Sequence, residues 1–135
     1  MQMNISCKTK HFSRWAAKAG ITDIVLSVAL QEMKQGLIDA DLGGGIIKKR
    51  VALQGKGKRG GARTLLATNK NDRWFFVYGF EKNEKDNVTA KELDALKLLA
   101  GDLLKFSAEQ IAEAISSGVL LEVKHEKNKV SKPSS

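Results

Sequence analysis

The segment covering residues 46–82 constrains the fold more than any other, because it contains three strand-like runs in close succession. It reads IIKKRVALQGKGKRGGARTLLATNKNDRWFFVYGFEK. Residues 47–53, 62–68 and 74–80 are rich in β-branched, aromatic or alternating apolar residues, and turn-forming residues separate them. We therefore expect a mainly antiparallel sheet. The third run is apolar on both faces, so we expect it to be a central strand.

The same segment carries the excess positive charge of the chain. It holds ten lysines and arginines against Asp72 and Glu81 alone, and the difference equals the net charge of +8 of all 135 residues. The rest of the chain is neutral, and the pI is about 9.7. Charge concentrated on one sheet and one connection indicates a polyanionic partner, with phosphate as the leading candidate.

Two short helices are predicted before this segment. Residues 3–8 alternate polar and apolar side chains, as in an edge strand. A helix follows and ends at Gly20, and Thr22 is a plausible N-cap for a second helix that ends near Gly36. Such a helical hairpin buries its apolar stripe only by packing on a sheet.

Two further helices are predicted near the C-terminus. Thr89 and Glu92 have the spacing of a capping box, and Ser107 and Gln110 repeat it. Apolar residues at helical spacing follow each box, and Gly118 stops the second helix.

These elements predict an α+β domain with a small, mainly antiparallel sheet of about four strands, an N-terminal helical hairpin packed on it, and additional C-terminal helices. Residues 119–123 are a candidate short strand. We expect a single domain over residues 1–123 and a disordered tail over residues 124–135.

Several functional classes are disfavoured by the composition. Cys7 is the sole cysteine, and the two histidines, His11 and His125, are far apart in the chain, so we expect no metal site, no cofactor and no paired-histidine catalysis. The sequence GKGKRGG lacks the Walker spacing. No apolar run approaches the roughly 20 residues of a membrane helix, and we expect a cytoplasmic protein.

A cluster of cations is the candidate catalytic site. Lys48 and Arg50 share one strand face, Arg63 lies on the next strand and Lys82 follows the third, so the four could converge on a phosphate. A merely basic surface for non-specific nucleic-acid binding is the alternative.

Other residues are predicted to bind RNA or the ribosome. Residues 54–61 are expected to form a glycine-rich hairpin loop, whose cations would govern affinity and whose amides could contact phosphate. Trp74, Phe76 and Tyr78 are expected to share one face of the third strand. Most of this aromatic stripe is expected to lie in the core, which leaves Tyr78 for base contacts. The candidates are Lys49, Lys56, Lys58, Arg59, Arg73 and Tyr78.

The order of elements, together with the motifs GKGKRGGAR and FVYGFEKNEKDN, resembles the RelE/HigB family of bacterial toxins over roughly residues 3–106, especially its HigB-type branch. The resemblance implies a microbial-ribonuclease fold that enters the ribosomal A site and cuts messenger RNA without metal. The 2′-hydroxyl would be the nucleophile and a 2′,3′-cyclic phosphate the product. It also implies a cognate antitoxin as partner.

The resemblance implies that Lys48 and Arg50 correspond to the family's paired basic residues before the loop, and Arg63 to its arginine after the glycine turn. Less directly, Lys82 corresponds to the basic residue that closes the last strand. The sequence differs from the RelE pattern in its extra loop glycines and lysines, and in lacking a tyrosine within FEKNEKDN. Two alternatives stay open: a toxin of the ParE type that inhibits DNA gyrase without cutting RNA, and a non-catalytic nucleic-acid-binding module. Cleavage of messenger RNA on translating ribosomes, or its absence alongside gyrase inhibition, separates them.

Overall fold

The computed structural model describes residues 4–53 and 57–124, with side chains left out for residues 57–60. The described elements alternate between one six-stranded sheet and two pairs of helices. In chain order they are β1 (Ile5–Thr9), α1 (Lys10–Ala19), α2 (Asp23–Lys34), β2 (Ala40–Gly43), β3 (Ile46–Leu53), β4 (Gly57–Thr68), β5 (Arg73–Glu81), α3 (Ala90–Lys105), α4 (Ala108–Ser116) and β6 (Leu120–Glu122).

The sheet has the strand order β2-β3-β4-β5-β1-β6. The β1 and β5 strands are parallel, and every other neighbouring pair is antiparallel. The α+β class and the central position of β5 are confirmed. The strand count is six rather than about four, because β2 was missed and the candidate strand after α4 does pair as β6. The prediction that β1 is an edge was wrong, since β6 pairs with its outer side.

The helical hairpin of α1 and α2 packs on one face of the sheet, as predicted. Gly20 ends α1 in the left-handed conformation at φ 76°, which favours glycine. The Thr22 side chain accepts a hydrogen bond from the amide of Val25 and caps α2. The apolar faces of both helices are buried against side chains that include Trp74 and Phe76.

The C-terminal helices cover the opposite face of the same sheet. Both predicted capping boxes are formed, at Thr89 with Glu92 and at Ser107 with Gln110. Leu103 of α3 packs in a second core with residues of β3, β4 and β5. The sheet is therefore a central layer between two helical layers, and a functional side chain on it is reachable only where the helices leave it open.

The glycine-rich connection is shorter than predicted. The β4 strand begins at Gly57, so residues 57–61 extend a strand that we expected to be loop, and the β3–β4 register shifts between Val51 and Leu53. Residues 54–56 lie outside the described residues. The predicted disordered tail, residues 124–135, also lies outside the described residues except for Lys124. Among the described helices, none is both long and apolar enough to span a bilayer.

Candidate functional site

The strand register brings three predicted cations onto the sheet face that α3 covers. Arg50 pairs directly with Arg63, and Lys48 pairs with Leu65, which belongs to the α3-side core. Because side chains alternate along a strand, Lys48, Arg50 and Arg63 point to the same side. Lys82 follows β5, and its amide donates to the carbonyl of Gly61 at 3.2 Å, so it lies at the same end of the sheet. We call these four residues the basic cluster.

Arg63 is the most unusual member of the basic cluster. It is 8% exposed, and its Nη1 atom is buried and makes no hydrogen bond within the described chain. Directly opposite stands Arg50, which is exposed and whose Nε lies 3.8 Å from Asp39 Oδ1. Like charges paired across strands destabilise a sheet, and a buried donor without an acceptor adds to the cost. An anion bound at Nη1 would remove both penalties.

Lys48 and Lys82 also have no carboxylate partner among the described residues. Lys48 is half-buried and Lys82 is exposed. The basic cluster thus combines a buried guanidinium with cations at its rim, which suits an anion that enters from solvent.

Lys49 is not part of this cluster. It is 4% exposed and lies on the opposite face, where its Nζ forms an ion pair with Glu32 Oε1 at 2.8 Å and donates to the carbonyl of Leu37 at 2.9 Å. These contacts give Lys49 a structural role in fixing α2 on β3, so we do not retain it as an RNA contact.

Arg73 is also separated from the cluster. Its Nη1 donates to the carbonyls of Leu103, Leu104 and Phe106, at 3.4, 3.3 and 2.6 Å, at the C-terminal end of α3. Basic groups at that end of a helix satisfy free carbonyls and interact favourably with its dipole. Arg73 therefore has a structural role at the far end of β5, and we do not retain it in the site either.

Tyr78 lies on the same face of the sheet as the basic cluster, because a β-bulge turns it there. Leu65 pairs with Tyr78 but Leu66 pairs with Phe76, so β5 has one extra residue at this point. Phe76 packs beneath α1, whereas Tyr78 packs on the α3 side. The expectation that Tyr78 shares a face with Trp74 and Phe76 was wrong, and the core placement expected for those two rings is confirmed. Bulges commonly redirect side chains near active sites.

Two residues absent from the sequence-based candidates hold the Tyr78 hydroxyl. Lys85 Nζ donates to Glu92 Oε1 and Oε2 at 2.9 and 3.0 Å and to the Tyr78 oxygen at 3.3 Å. Tyr78 in turn donates to Glu92 Oε2 at 3.2 Å. The bond from Lys85 lowers the pKa of Glu92 to about 2, and the bond to Glu92 raises the pKa of Lys85. We call these three residues the Tyr78 network.

His11 is the other residue that sequence reasoning left out. Its ring stacks on the Tyr78 ring with 5.8 Å between centroids and 8° between planes. No signal in the sequence joins residues so far apart, although the capping box did place Glu92 at the start of α3. His11, Tyr78 and Glu92 also line a groove of about 570 Å³ whose remaining lining is mostly apolar.

The side chains of the three loop cations lie outside the described part of the structure. Lys56 lies outside the described residues, and so do the side chains of Lys58 and Arg59. The backbone of residues 57–60 extends β4 beyond Arg63, at the basic-cluster end of the sheet. In the described part of the chain, no group of three or more histidine, cysteine or carboxylate side chains is arranged to hold a metal ion.

Comparison with protein families decides the identity of the chain. The family model for the RelE toxin of the RelE/RelB toxin–antitoxin system matches residues 3–123. The chain belongs to the RelE toxin family. A search of curated proteins found no match. As a RelE-family toxin, this protein is one half of a toxin–antitoxin pair, and the family implies a cognate antitoxin as its partner.

Proposed function

We propose that this RelE-family toxin, of the HigB-type branch, is an endoribonuclease that cuts messenger RNA on the ribosome and thereby inhibits translation. The observation that carries the proposal is the buried Nη1 of Arg63, which has no hydrogen-bond partner among the described residues and lies beside Arg50. The Arg63 guanidinium opposite Arg50 costs the sheet stability unless an anion binds it, and RNA phosphate is the anion that the family supplies.

The proposed reaction forms a bond between the 2′-oxygen and the adjacent phosphorus, with the proton of the 2′-hydroxyl passing to solvent, and breaks the bond from phosphorus to the 5′-oxygen. The products are a 2′,3′-cyclic phosphate and a 5′-hydroxyl. Negative charge grows on the non-bridging phosphate oxygens in the transition state. Arg63 is placed to stabilise that charge, and Arg50 and Lys48 add positive potential from the same face.

Proton transfer needs a group that is not already fully hydrogen-bonded. The ammonium of Lys85 uses its three donors within the Tyr78 network, and Glu92, with a pKa of about 2, is a poor base. Lys48 and Lys82 make no ion pair with other described residues. We therefore assign to them the donation of a proton to the leaving 5′-oxygen.

The ribosome would supply what the basic cluster lacks. Cations stabilise charge but do not by themselves align a flexible RNA for in-line attack, and alignment accounts for a large share of a catalysed rate. A messenger RNA held in the ribosomal A site is already positioned. The site of action is accordingly the cytoplasm.

The experiment compares translated messenger RNA with the same RNA free in solution, each treated with the parent protein and with Arg63→Ala. We expect cleavage only with ribosomes, only by the parent, and with a 2′,3′-cyclic phosphate end. Efficient cutting of free RNA, or a 3′-hydroxyl product, would contradict the mechanism. If neither RNA is cut while growth is still inhibited, a gyrase assay tests the ParE-type alternative.

A further inference from the structure

The Tyr78 network is a closed set of hydrogen bonds. Each donor of Lys85 has an acceptor, and Glu92 accepts from Lys85, from Tyr78 and from the amide of Thr89. Every side-chain donor of Lys85 and Tyr78 is therefore used within the network. Such an arrangement is suited to holding the Tyr78 ring in one position rather than to moving protons.

The fixed ring belongs to a row of rings that leads toward Arg63. His11 stacks on Tyr78, and Tyr78 lies 6.3 Å from Phe80, centroid to centroid. Phe80 pairs directly across the strands with Arg63. Lys85 Nζ lies over both sheet rings, at 5.5 Å from the Tyr78 centroid and 6.0 Å from the Phe80 centroid. The row therefore runs from Arg63, the proposed phosphate contact, to His11 at the protein surface.

The outer end of the row is accessible. His11 is exposed in the first turn of α1, and its ring is held nearly parallel to a rigid neighbour. Flat, rigid rings beside a phosphate site are suited to binding a nucleobase by stacking. Every base has an aromatic face, so such stacking does not depend on the RNA sequence. The bulge in β5 is the structural device that brings Tyr78 into this row.

We propose that His11 and Tyr78 form a stacking subsite for a nucleobase next to the phosphate bound at Arg63, with Lys85 and Glu92 as positioning residues. The proposal rests on the proposed function for the identity of the substrate. A base that stacks on this row would hold the neighbouring phosphate at the basic cluster.

The test uses RNA that binds but cannot be cut. A 2′-O-methylated RNA carries the fluorescent base 2-aminopurine beside one phosphate, once as a free oligonucleotide and once as the A-site codon of a programmed ribosome. Stacking quenches this base. We expect quenching by the parent and by His11→Phe, which keeps a flat ring. We expect affinity to fall roughly 5- to 150-fold in His11→Ala and Tyr78→Leu.

Arg14→Ala is the matched control, because Arg14 is an exposed residue of the same helix, one turn from His11. It should quench like the parent. His11 is exposed, so His11→Ala should fold normally even if Tyr78→Leu does not. Equal quenching by parent and His11→Ala, or no quenching in either RNA, would overturn the subsite.

The two proposals fail separately. His11-dependent quenching together with an absence of messenger RNA cleavage would refute the proposed function and support the subsite. Cleavage on ribosomes with unchanged KM in His11→Ala and Tyr78→Leu would support the function and refute the subsite. A KM effect in His11→Ala that His11→Phe restores would support both.

Discussion

An arginine lies on the α3 side of the sheet near each end of β5, Arg73 on β5 itself and Arg63 on the neighbouring β4, and the two have opposite surroundings. At the first end, Arg73 donates to three carbonyls at the C-terminal end of α3. At the other end, Arg63 pairs with Phe80 and faces Arg50, and its Nη1 is buried without an acceptor in the described structure. The fold supplies hydrogen-bond acceptors for Arg73, whereas the described residues supply none for Nη1 of Arg63.

This difference separates structural from functional cations better than exposure does. Lys49 is more buried than Arg63, yet it has an ion pair and a carbonyl acceptor. A buried charge with partners is explained by the fold, whereas a buried charge without them implies an outside ligand. Substitution of each cation should therefore lower either stability or activity, but not both.

The largest expected effect is on activity, at Arg63. Arg63→Met should lower the rate of ribosome-dependent cleavage by about 10²- to 10³-fold, as loss of a transition-state donor does. Its free energy of unfolding should stay level or rise by about 1 kcal/mol, because the buried Nη1, which has no acceptor among the described residues, is removed. Urea unfolding and single-turnover cleavage measure the two quantities.

Arg63→Lys is the control for charge alone. An ammonium cannot reproduce the two-pronged guanidinium contact, so most of the rate loss should remain. A stably folded Arg63→Met protein that still cleaves like the parent would remove Arg63 from the site.

The next effect is on stability, at Arg73. Arg73→Met should lower the free energy of unfolding by about 2 to 3 kcal/mol, since carbonyls at the end of α3 lose a charged donor. Cleavage per folded molecule should not change. A variant that is as stable as the parent but inactive would show that Arg73 contacts RNA after all.

The adjacent lysines of β3 offer a smaller version of the comparison. Lys49→Met should cost about 1 to 2 kcal/mol of stability, because it removes the ion pair with Glu32 and the hydrogen bond to the Leu37 carbonyl. Lys48→Met should change stability by less than about 0.5 kcal/mol but weaken cleavage. If both variants lose stability and neither loses activity, Lys48 does not belong to the basic cluster.

Local features of the fold were predictable from the sequence. Helix starts and stops follow from short-range chemistry, and the caps at Thr22, Thr89 and Ser107 are formed as expected. The β2 strand was missed because Ala40–Gly43 contains only one large apolar residue and ends in glycine, so its pairing with β3 depends on tertiary context.

The site was predictable in part. Strand alternation places Lys48 and Arg50 on one face, and the same rule would have put Lys49 on the other. The bulge that redirects Tyr78 is a register event between two strands, and periodicity within β5 does not reveal it. His11 and Lys85 reach Tyr78 through the fold alone.

The smallest predicted effect concerns Lys85, which sharpens the comparison because it lies near the basic cluster and yet is fully paired. It should therefore behave like Arg73, and its partner Glu92 allows a test by pH. The folded-state pKa of Glu92, about 2, is below its ordinary 4.5, so its contribution to stability is present above pH 4.5 and is lost as the pH falls toward 2. The pKa of Lys85 is raised, so its contribution is present below pH 10.5 and is lost only as the pH rises further.

Glu92→Gln retains the capping-box geometry but removes the charge. The difference in unfolding free energy between parent and Glu92→Gln should be constant from pH 5 to pH 10 and should shrink between about pH 4.5 and 2. Glu109→Gln, at an exposed first-turn position of α4, should show a smaller and flatter difference. A Glu92→Gln difference that persisted undiminished at pH 2 would mean that the carboxylate charge does not hold the Tyr78 network together.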